Sequence, residues 1–196
     1  MSKIFEYSSY EDYLKSQIET TNAKYGKIVY IQKNIVNGIY EYFKDDNIKN
    51  ILCHGTRSGE EQKLFKDSFK CYVMGSELCS KAVFEPMTTI WDFNKVNSDW
   101  IGKFDLVYTN SFDHTITPKE TLEVWKNQLA ENGKLLIQWS DSINGQGVIA
   151  SDPLNATAKE IISWASDIGL ELVTKILEKQ TRHGGTILVF KNVKDY

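Results

Sequence analysis

From residue 50 onward the sequence alternates between short apolar stretches and amphipathic stretches, and this alternation constrains the fold more than any other feature. Strands that alternate with helices predict a mostly parallel sheet with helices packed on it, because parallel neighbours need a crossover connection. The predicted strands are 51–53, 70–75, 88–91, 104–108, 134–139, 170–177 and 186–191, and the predicted helices are 60–69, 76–83, 118–130 and 156–168. Only the turn-prone residues 181–185 separate the last two strands, which predicts an antiparallel hairpin.

The first 45 residues have a helical pattern instead. One predicted helical face carries Ile28, Ile31, Ile35, Ile39, Tyr42 and Phe43, at the spacing that buries one side of a helix. We therefore predict two units. Residues 1–48 form an N-terminal helical extension packed on the core, and residues 49–196 form the α/β domain.

Size and charge limit the function classes. A chain of 196 residues with 41% hydrophobic content suits a single domain with a short extension. The net charge of −3 argues against nucleic acid as a partner, because phosphate contacts need a basic face. No stretch approaches the roughly 18 apolar residues of a membrane span. Three cysteines without paired spacing favour reduced thiols, and we expect a cytoplasmic protein without a membrane partner.

In an open parallel sheet, ligands bind beyond the carboxyl ends of the strands, so the residues at those ends are the candidates. A turn with two glycines follows the first strand, and it runs through His54, Gly55, Thr56, Arg57 and Gly59. Glycines allow close approach of a ligand, and the next helix offers free N–H groups to an anionic group. The alternative is a turn that only connects strand to helix.

The ends of the second and third strands carry acids. Glu77 lies about 20 residues past the glycines, where a carboxylate accepts hydrogen bonds from ribose hydroxyls. Its alternative role is a first-turn acid of a helix capped by Ser76. Asp92 and Phe93 follow the third strand and suit an exocyclic amine and a purine ring. The alternative is that Asp92 only starts a turn.

A polar cluster follows the fourth strand and contains Asn110, Ser111, Asp113 and His114. His114 suits a general base assisted by Asp113, although a loop histidine is more often a structural hydrogen-bonding group. The long stretch 140–155 is either a functional loop or a plain surface loop. Spacings typical of metal ligands, of a nucleophile elbow and of a P-loop do not occur, so the sequence predicts no metal site.

Together these features resemble the class I S-adenosylmethionine-dependent methyltransferases, over residues 50–192. The stretches FDLVYTNSFDH and ENGKLLIQW strengthen the resemblance. It implies a Rossmann-like three-layer sandwich with a mostly parallel seven-stranded sheet, in the order 3-2-1-4-5-7-6 with the last strand antiparallel. It also implies S-adenosyl-L-methionine as cofactor, with contacts from His54, Gly55, Thr56, Arg57, Gly59, Glu77, Leu78, Asp92, Phe93, Asn110 and Ser111.

Within that resemblance, the residues divide by the part of the cofactor they would contact. Gly55, Arg57 and Gly59 would lie against the methionine part, and Glu77 would hold the ribose. Asp92 and Phe93 would flank the adenine, and Asn110 would line the floor near the sulfonium. The chain departs from the family pattern at the first strand, which ends in Cys53-His54 instead of an acid. Arg57 either pairs with the cofactor carboxylate or is held outward by Glu60 or Glu61.

The resemblance implies methyl transfer to a small-molecule or sugar acceptor. An Asn-Pro-Pro-Tyr type motif is missing after the fourth strand, which favours oxygen as the nucleophile and His114 with Asp113 as the catalytic pair. The alternatives are a non-catalytic cofactor-binding or scaffold domain and an NAD-dependent oxidoreductase. The oxidoreductase reading lacks its GxGxxG fingerprint. Methylation of protein or nucleic acid is the remaining possibility.

Overall fold

The computed structural model describes residues 2–27, 30–144, 147–177 and 185–193. In chain order the strands are β1 (Lys3–Ile4), β2 (Asn50–His54), β3 (Tyr72–Glu77), β4 (Thr88–Ile90), β5 (Phe104–Thr109), β6 (Leu129–Trp139), β7 (Leu154–Asn155), β8 (Leu170–Ile176) and β9 (Thr186–Asn192). The helices are α1 (Tyr10–Lys24), α2 (Lys33–Phe43), α3 (Glu60–Phe69), α4 (Pro118–Gln128), α5 (Asp141–Asn144) and α6 (Ala158–Asp167). Short 3-10 helices occupy Ser80–Phe84, Ser98–Trp100 and Phe112–His114.

Seven strands form one sheet in the order β4-β3-β2-β5-β6-β9-β8. This is the predicted order 3-2-1-4-5-7-6, so the fold prediction is confirmed. β9 runs antiparallel to both of its neighbours, and the other described pairs in this sheet are parallel. The antiparallel pairing of the last two strands is therefore confirmed, whereas the predicted turn at 181–185 lies, except for Gly185, outside the described residues.

Both faces of the sheet are buried, as expected for parallel strands flanked by helices. Trp125 of α4 and Ile161 of α6 belong to one apolar cluster with sheet residues such as Leu135. Ile39 of α2 and Phe65 of α3 belong to a second cluster on the opposite face. Because the strands are apolar on both sides, the helices must cover both faces, and functional side chains are left to the strand ends.

Two predicted boundaries are wrong, and sheet pairing explains both. The predicted helix 76–83 is replaced by two further residues of β3 and the 3-10 helix Ser80–Phe84. Ser76 pairs with β2 on one side and β4 on the other, and those ladder bonds outweigh its preference for a helix cap. The predicted helix 118–130 ends at Gln128, and β6 begins at Leu129 rather than at 134.

Gly133 explains the second boundary. A Cβ at this position would lie 2.6 Å from the carbonyl oxygen of Phe104, so glycine allows β6 to approach β5 closely. The register between the two strands shifts between Phe104 and Leu106, as at a β-bulge. The glycine that resembled a helix terminator therefore belongs to an irregular strand.

Both α2 and β1 of the N-terminal segment contact the sheet domain. α2 contributes the buried residues Ile35, Val36, Ile39 and Phe43. β1 pairs antiparallel with β7, which joins Lys3 to Asn155 and Ile4 to Leu154. That pairing lies in the predicted loop 140–155, which also contains α5 and a bridge between Ile149 and Asp152. Among the described residues, the helices are too short or too polar to cross a membrane.

The start of α6 is stabilised by a capping box. The Thr157 hydroxyl accepts from the N–H of Glu160, and the Glu160 carboxylate accepts from the N–H of Thr157 at 2.9 Å. We expect Thr157→Ala to lower the free energy of unfolding by about 1 kcal/mol. Urea unfolding should show this loss, whereas Ser166→Ala, which removes an exposed hydroxyl from the same helix, should change stability by less than about 0.5 kcal/mol. An equal effect of both substitutions would contradict the capping role.

Candidate active site at the carboxyl edge of the sheet

A cleft whose open space, including the solvent at its mouth, is about 420 Å³ lies at the carboxyl ends of β2, β3 and β5. The cleft is lined by the glycine turn, by residues that follow the strands, and by one face of α1: Tyr13, Gln17, Thr21, Gly55, Arg57, Glu77, Leu78, Phe93, Ser111 and His114.

The glycine turn brings the backbone close to the cleft. Gly55 has a φ of +70°, and a Cβ there would lie 2.7 Å from the side chain of Ser111. Any other residue would therefore strain the turn and fill the space between β2 and β5. Gly59 is also left-handed and is the N-cap residue before α3, while Arg57 adopts a φ of +44° despite its side chain. The turn therefore places backbone without a side chain at the edge of the cleft.

Glu77 holds the turn in place. Its Oε2 accepts from the backbone N–H of Arg57 at 2.8 Å, and its Oε1 accepts from those of Leu78 and Cys79 at 2.8 and 3.1 Å. The side chain is buried yet lines the cleft. A carboxylate oxygen accepts more than one hydrogen bond, so Oε2 retains capacity for a ligand hydroxyl.

The residues after β4 are shared between the cleft and α1. Phe93 lines the cleft, whereas Asp92 does not. Asp92 accepts from the hydroxyl of Tyr10 and from both the backbone and side-chain N–H groups of Asn94. Its carboxylate therefore connects the segment after β4 to α1.

His54 is part of the core rather than of the cleft surface. Its ring is 1% exposed and stacks on Trp125 at a centroid distance of 5.1 Å. Nδ1 contacts Ser76 Oγ at 2.7 Å and Nε2 contacts Gln128 Oε1 at 2.8 Å. Burial lowers the pKa of His54 to about 4, against a smaller opposing effect of the Gln128 hydrogen bond. The ring is therefore neutral at physiological pH.

The floor of the cleft follows β5. Ser111 lines the cleft, and its hydroxyl lies 3.3 Å from the carbonyl of Gly55 and 3.2 Å from Asn110 Oδ1. Asn110 donates in turn to the buried carboxyl of Glu61 at 3.3 Å. Burial raises the pKa of Glu61 to about 7. Sequence reasoning assigned Glu61 only a possible pairing with Arg57.

His114 has a defined tautomer. Gln17 Nε2 donates to the carbonyl of Ala150 at 3.0 Å, so Gln17 Oε1 faces His114 Nδ1 at 2.8 Å. Nδ1 therefore carries a hydrogen, and Nε2 of the neutral ring has the lone pair. That nitrogen lies 3.8 Å from Asp113 Oδ1 and 3.9 Å from Asp152 Oδ1.

The same three side chains, Asp113, His114 and Asp152, could hold a metal ion, because their ligand atoms lie within 4.8 Å of one another. All three side chains are partly exposed. Their spacing in the sequence does not indicate a metal site, because Asp152 lies far along the chain from Asp113 and His114.

The chain is similar to known proteins in structure but not in sequence. No protein-family model matches the chain, and no curated protein matches it at the sequence level. Solved structures do match. One is the 1,6-didemethyltoxoflavin N1-methyltransferase of Burkholderia thailandensis, bound to 1,6-didemethyltoxoflavin and S-adenosylhomocysteine, with a TM-score of 0.73 and 12% identity over 96% of this chain and 92% of that one.

Another is the N-methyltransferase NodS of Bradyrhizobium japonicum WM9 in complex with S-adenosylhomocysteine, with a TM-score of 0.68 and 10% identity over 91% of this chain and 100% of that one. The fold is that of the class I S-adenosylmethionine-dependent methyltransferases. The resemblance inferred from the sequence is confirmed at that level. The [4+2]-cyclase SpnF has this methyltransferase fold too, with a TM-score of 0.64 and 12% identity over 94% of both chains.

Some of the predicted site residues line the cleft, and others do not. Gly55, Arg57, Glu77, Leu78, Phe93, Ser111 and His114 line it. His54, Thr56, Gly59, Asp92, Asn110 and Asp113 lie behind or beside those residues. The predicted cofactor and catalytic roles stay predictions.

Sequence reasoning missed the contribution of α1. Tyr13, Gln17 and Thr21 line the cleft and follow one another at four-residue spacing, so they share one helical face. Tyr13 also donates to the carbonyl of His114 at 3.0 Å. The spacing was visible in the sequence, but only the docking of α1 over the strand ends gives that face a function.

The buried His54 predicts a specific response to acid. Its folded pKa is about 4, below the ordinary value of 6.5, so the unfolded chain binds a proton that the folded chain excludes. Stability from this group is present above pH 6.5 and is lost as the pH falls toward 4. We expect this loss to lower the free energy of unfolding of the wild type by on the order of 2 kcal/mol between pH 7 and pH 5.

Urea unfolding of the wild type and His54→Gln at both pH values isolates this effect. The variant lacks the titrating ring and should lose less stability on acidification, whatever its stability at pH 7. Identical losses in the two proteins would show that His54 does not titrate as its burial implies.

Proposed function

We propose that the chain is an S-adenosyl-L-methionine-dependent methyltransferase that acts on a small-molecule or sugar acceptor, at oxygen. The observation that carries this proposal is the cleft itself, where Gly55 of the glycine turn and the carboxylate of Glu77 line one space. The fold of the neighbours bound to S-adenosylhomocysteine supports it.

The cofactor fits the residues present. Gly55 and Arg57 would contact its methionine end, and Glu77 would accept from the ribose hydroxyls through the capacity left on Oε2. Leu78 and Phe93 offer apolar contact to the adenine. Asp92 would act from behind the lining residues, because its carboxylate already accepts hydrogen bonds from Tyr10 and Asn94. When bound, the cofactor supplies the electrophilic methyl group.

His114 is the proposed general base. Its hydrogen bond to Gln17 leaves Nε2 as the proton acceptor, and it lines the cleft. Asp113 and Asp152 flank that nitrogen at 3.8 and 3.9 Å, so both carboxylates would stabilise the imidazolium that forms when His114 accepts a proton. Asp152 is an addition to the pair predicted from the sequence.

The second candidate is a cofactor-binding domain with no methyl transfer. The fold neighbour SpnF is described as a [4+2]-cyclase, so the fold alone does not require that activity. An NAD-dependent oxidoreductase has weaker support, since the glycine turn lacks the GxGxxG fingerprint.

We also propose a division of the chain into two parts and a location in the cell. Residues 1–48 are proposed as an N-terminal extension of the domain formed by 49–196. A cytoplasmic location is proposed because Cys53, Cys71 and Cys79 are free thiols.

Ligand binding tests the cofactor. S-adenosylhomocysteine at 100 times its Kd should stabilise the protein by about 2.7 kcal/mol, whereas NAD should have no effect. Glu77→Gln should weaken S-adenosylhomocysteine binding at least tenfold, because a charged acceptor of the ribose hydroxyls is lost. The matched control is Glu85→Gln, which removes the same charge outside the cleft lining and should bind normally. Absence of any S-adenosylhomocysteine binding to the wild type would reject the proposed cofactor.

Turnover tests the base. His114→Ala should leave the Kd of S-adenosylhomocysteine within about twofold and lower the rate by roughly 10²–10⁴-fold. The rate is measured as S-adenosylhomocysteine release with an acceptor from a panel of hydroxyl-bearing small molecules and sugars. An unchanged rate would exclude His114 as the base. Cofactor binding without turnover on any acceptor would favour the non-catalytic alternative.

A further inference from the structure

Glu61 is a buried carboxyl group that lies immediately behind the floor of the cleft. It is the second residue of α3 and is 6% exposed. Its Oε1 accepts from Asn110 Nδ2 at 3.3 Å. Asn110 precedes Ser111, which lines the cleft. Glu61 is therefore joined to the cleft lining through two hydrogen bonds, one to Asn110 and one from Ser111 to Asn110.

The contact with Glu61 orients the amide of Asn110. Because Nδ2 points toward the carboxyl group, Oδ1 points toward Ser111. The Ser111 hydroxyl lies within hydrogen-bonding distance of both Asn110 Oδ1 and the carbonyl of Gly55. A hydroxyl has one hydrogen for these two acceptors. The floor therefore has more acceptors than donors, which suits a ligand group rich in N–H donors.

The charge behind the floor favours a cation. Burial raises the pKa of Glu61 to about 7; Glu77 adds to this effect, and the guanidinium of Arg57 opposes it. A buried carboxylate is costly unless a positive group is near. A ligand cation placed against Ser111 on the floor would stabilise the charged form of Glu61 and would be attracted by it.

We propose that Glu61 is a positioning residue that makes the cleft selective for a ligand with a cationic α-amino group. It does so by orienting Asn110 Oδ1 and by placing a negative charge behind it. This rests on the proposed function, in which that ligand is S-adenosyl-L-methionine and the amino group belongs to its methionine part. Arg57, which lines the same cleft, would take the carboxylate of that part.

Two ligands that differ only in this part separate the roles. S-adenosylhomocysteine carries the amino acid, whereas 5′-methylthioadenosine keeps the nucleoside and the sulfur without it. Isothermal titration at pH 7.5 should show that Glu61→Gln weakens S-adenosylhomocysteine binding about tenfold or more and leaves 5′-methylthioadenosine binding within twofold. Glu60→Gln removes the same charge from the neighbouring residue of α3. This substitution should change neither affinity, because Glu60 is paired with Lys63.

Two further variants test the route through Asn110. Glu61→Asp keeps the charge and should retain more S-adenosylhomocysteine affinity than Glu61→Gln. Asn110→Ala should weaken S-adenosylhomocysteine selectively, and Glu61→Gln added to it should have a smaller effect than in the wild type, because residues that act as one unit are not additive. Asn110→Ala also reports on the floor if Glu61→Gln folds poorly, which the thermal unfolding midpoint shows.

The outcomes distinguish this inference from the proposed function. If the wild type binds both ligands and Glu61→Gln weakens both equally, or neither, the selective role of Glu61 is wrong while the cofactor proposal stands. If the wild type binds neither ligand, the cofactor proposal fails and the role of Glu61 fails with it.

Discussion

The site depends on one buried carboxylate, Glu77, which ties two strand ends together. It accepts backbone N–H groups from Arg57 in the glycine turn and from Leu78 and Cys79 beyond its own strand. These bonds hold a turn in which Arg57 has a positive φ, a conformation that costs free energy unless its surroundings fix it. The parallel register of β2 and β3 places Glu77 where it reaches the turn. The carboxylate fixes the turn together with the backbone hydrogen bonds that Gly55 and Thr56 donate to Ser76.

The other side of the cleft is built from a distant part of the chain. α1 places Tyr13, Gln17 and Thr21 over the strand ends. Tyr13 donates to the backbone carbonyl of His114, and Gln17 Oε1 accepts from the His114 ring. Gln17 is itself fixed by the carbonyl of Ala150. The helix, the loop after β5 and the stretch around residue 150 therefore form one hydrogen-bonded unit, and the orientation and tautomer of His114 depend on all three.

The departure from the family pattern at the first strand has a physical account. The strand ends in a neutral histidine that is stacked on Trp125 and withdrawn from the cleft. A second buried acid besides Glu77 is Glu61, which comes from the following helix and contacts Asn110 behind the floor.

The sequence by itself determined the architecture. The alternation of strands and helices predicted a mostly parallel sheet with the candidate residues at strand ends, among them Glu77 and His114, and the short last connection predicted the antiparallel pair. The sheet order was implied by the resemblance to the class I methyltransferases. Local patterns failed where pairing between strands prevailed, at Ser76 and at Gly133.

Tertiary structure alone decided which strand-end residues face the cleft and which lie behind it. It buried His54, turned Asp92 toward Tyr10 and brought Asp152 beside His114. These outcomes depend on contacts between segments more than 20 residues apart, and no local periodicity or spacing encodes such contacts.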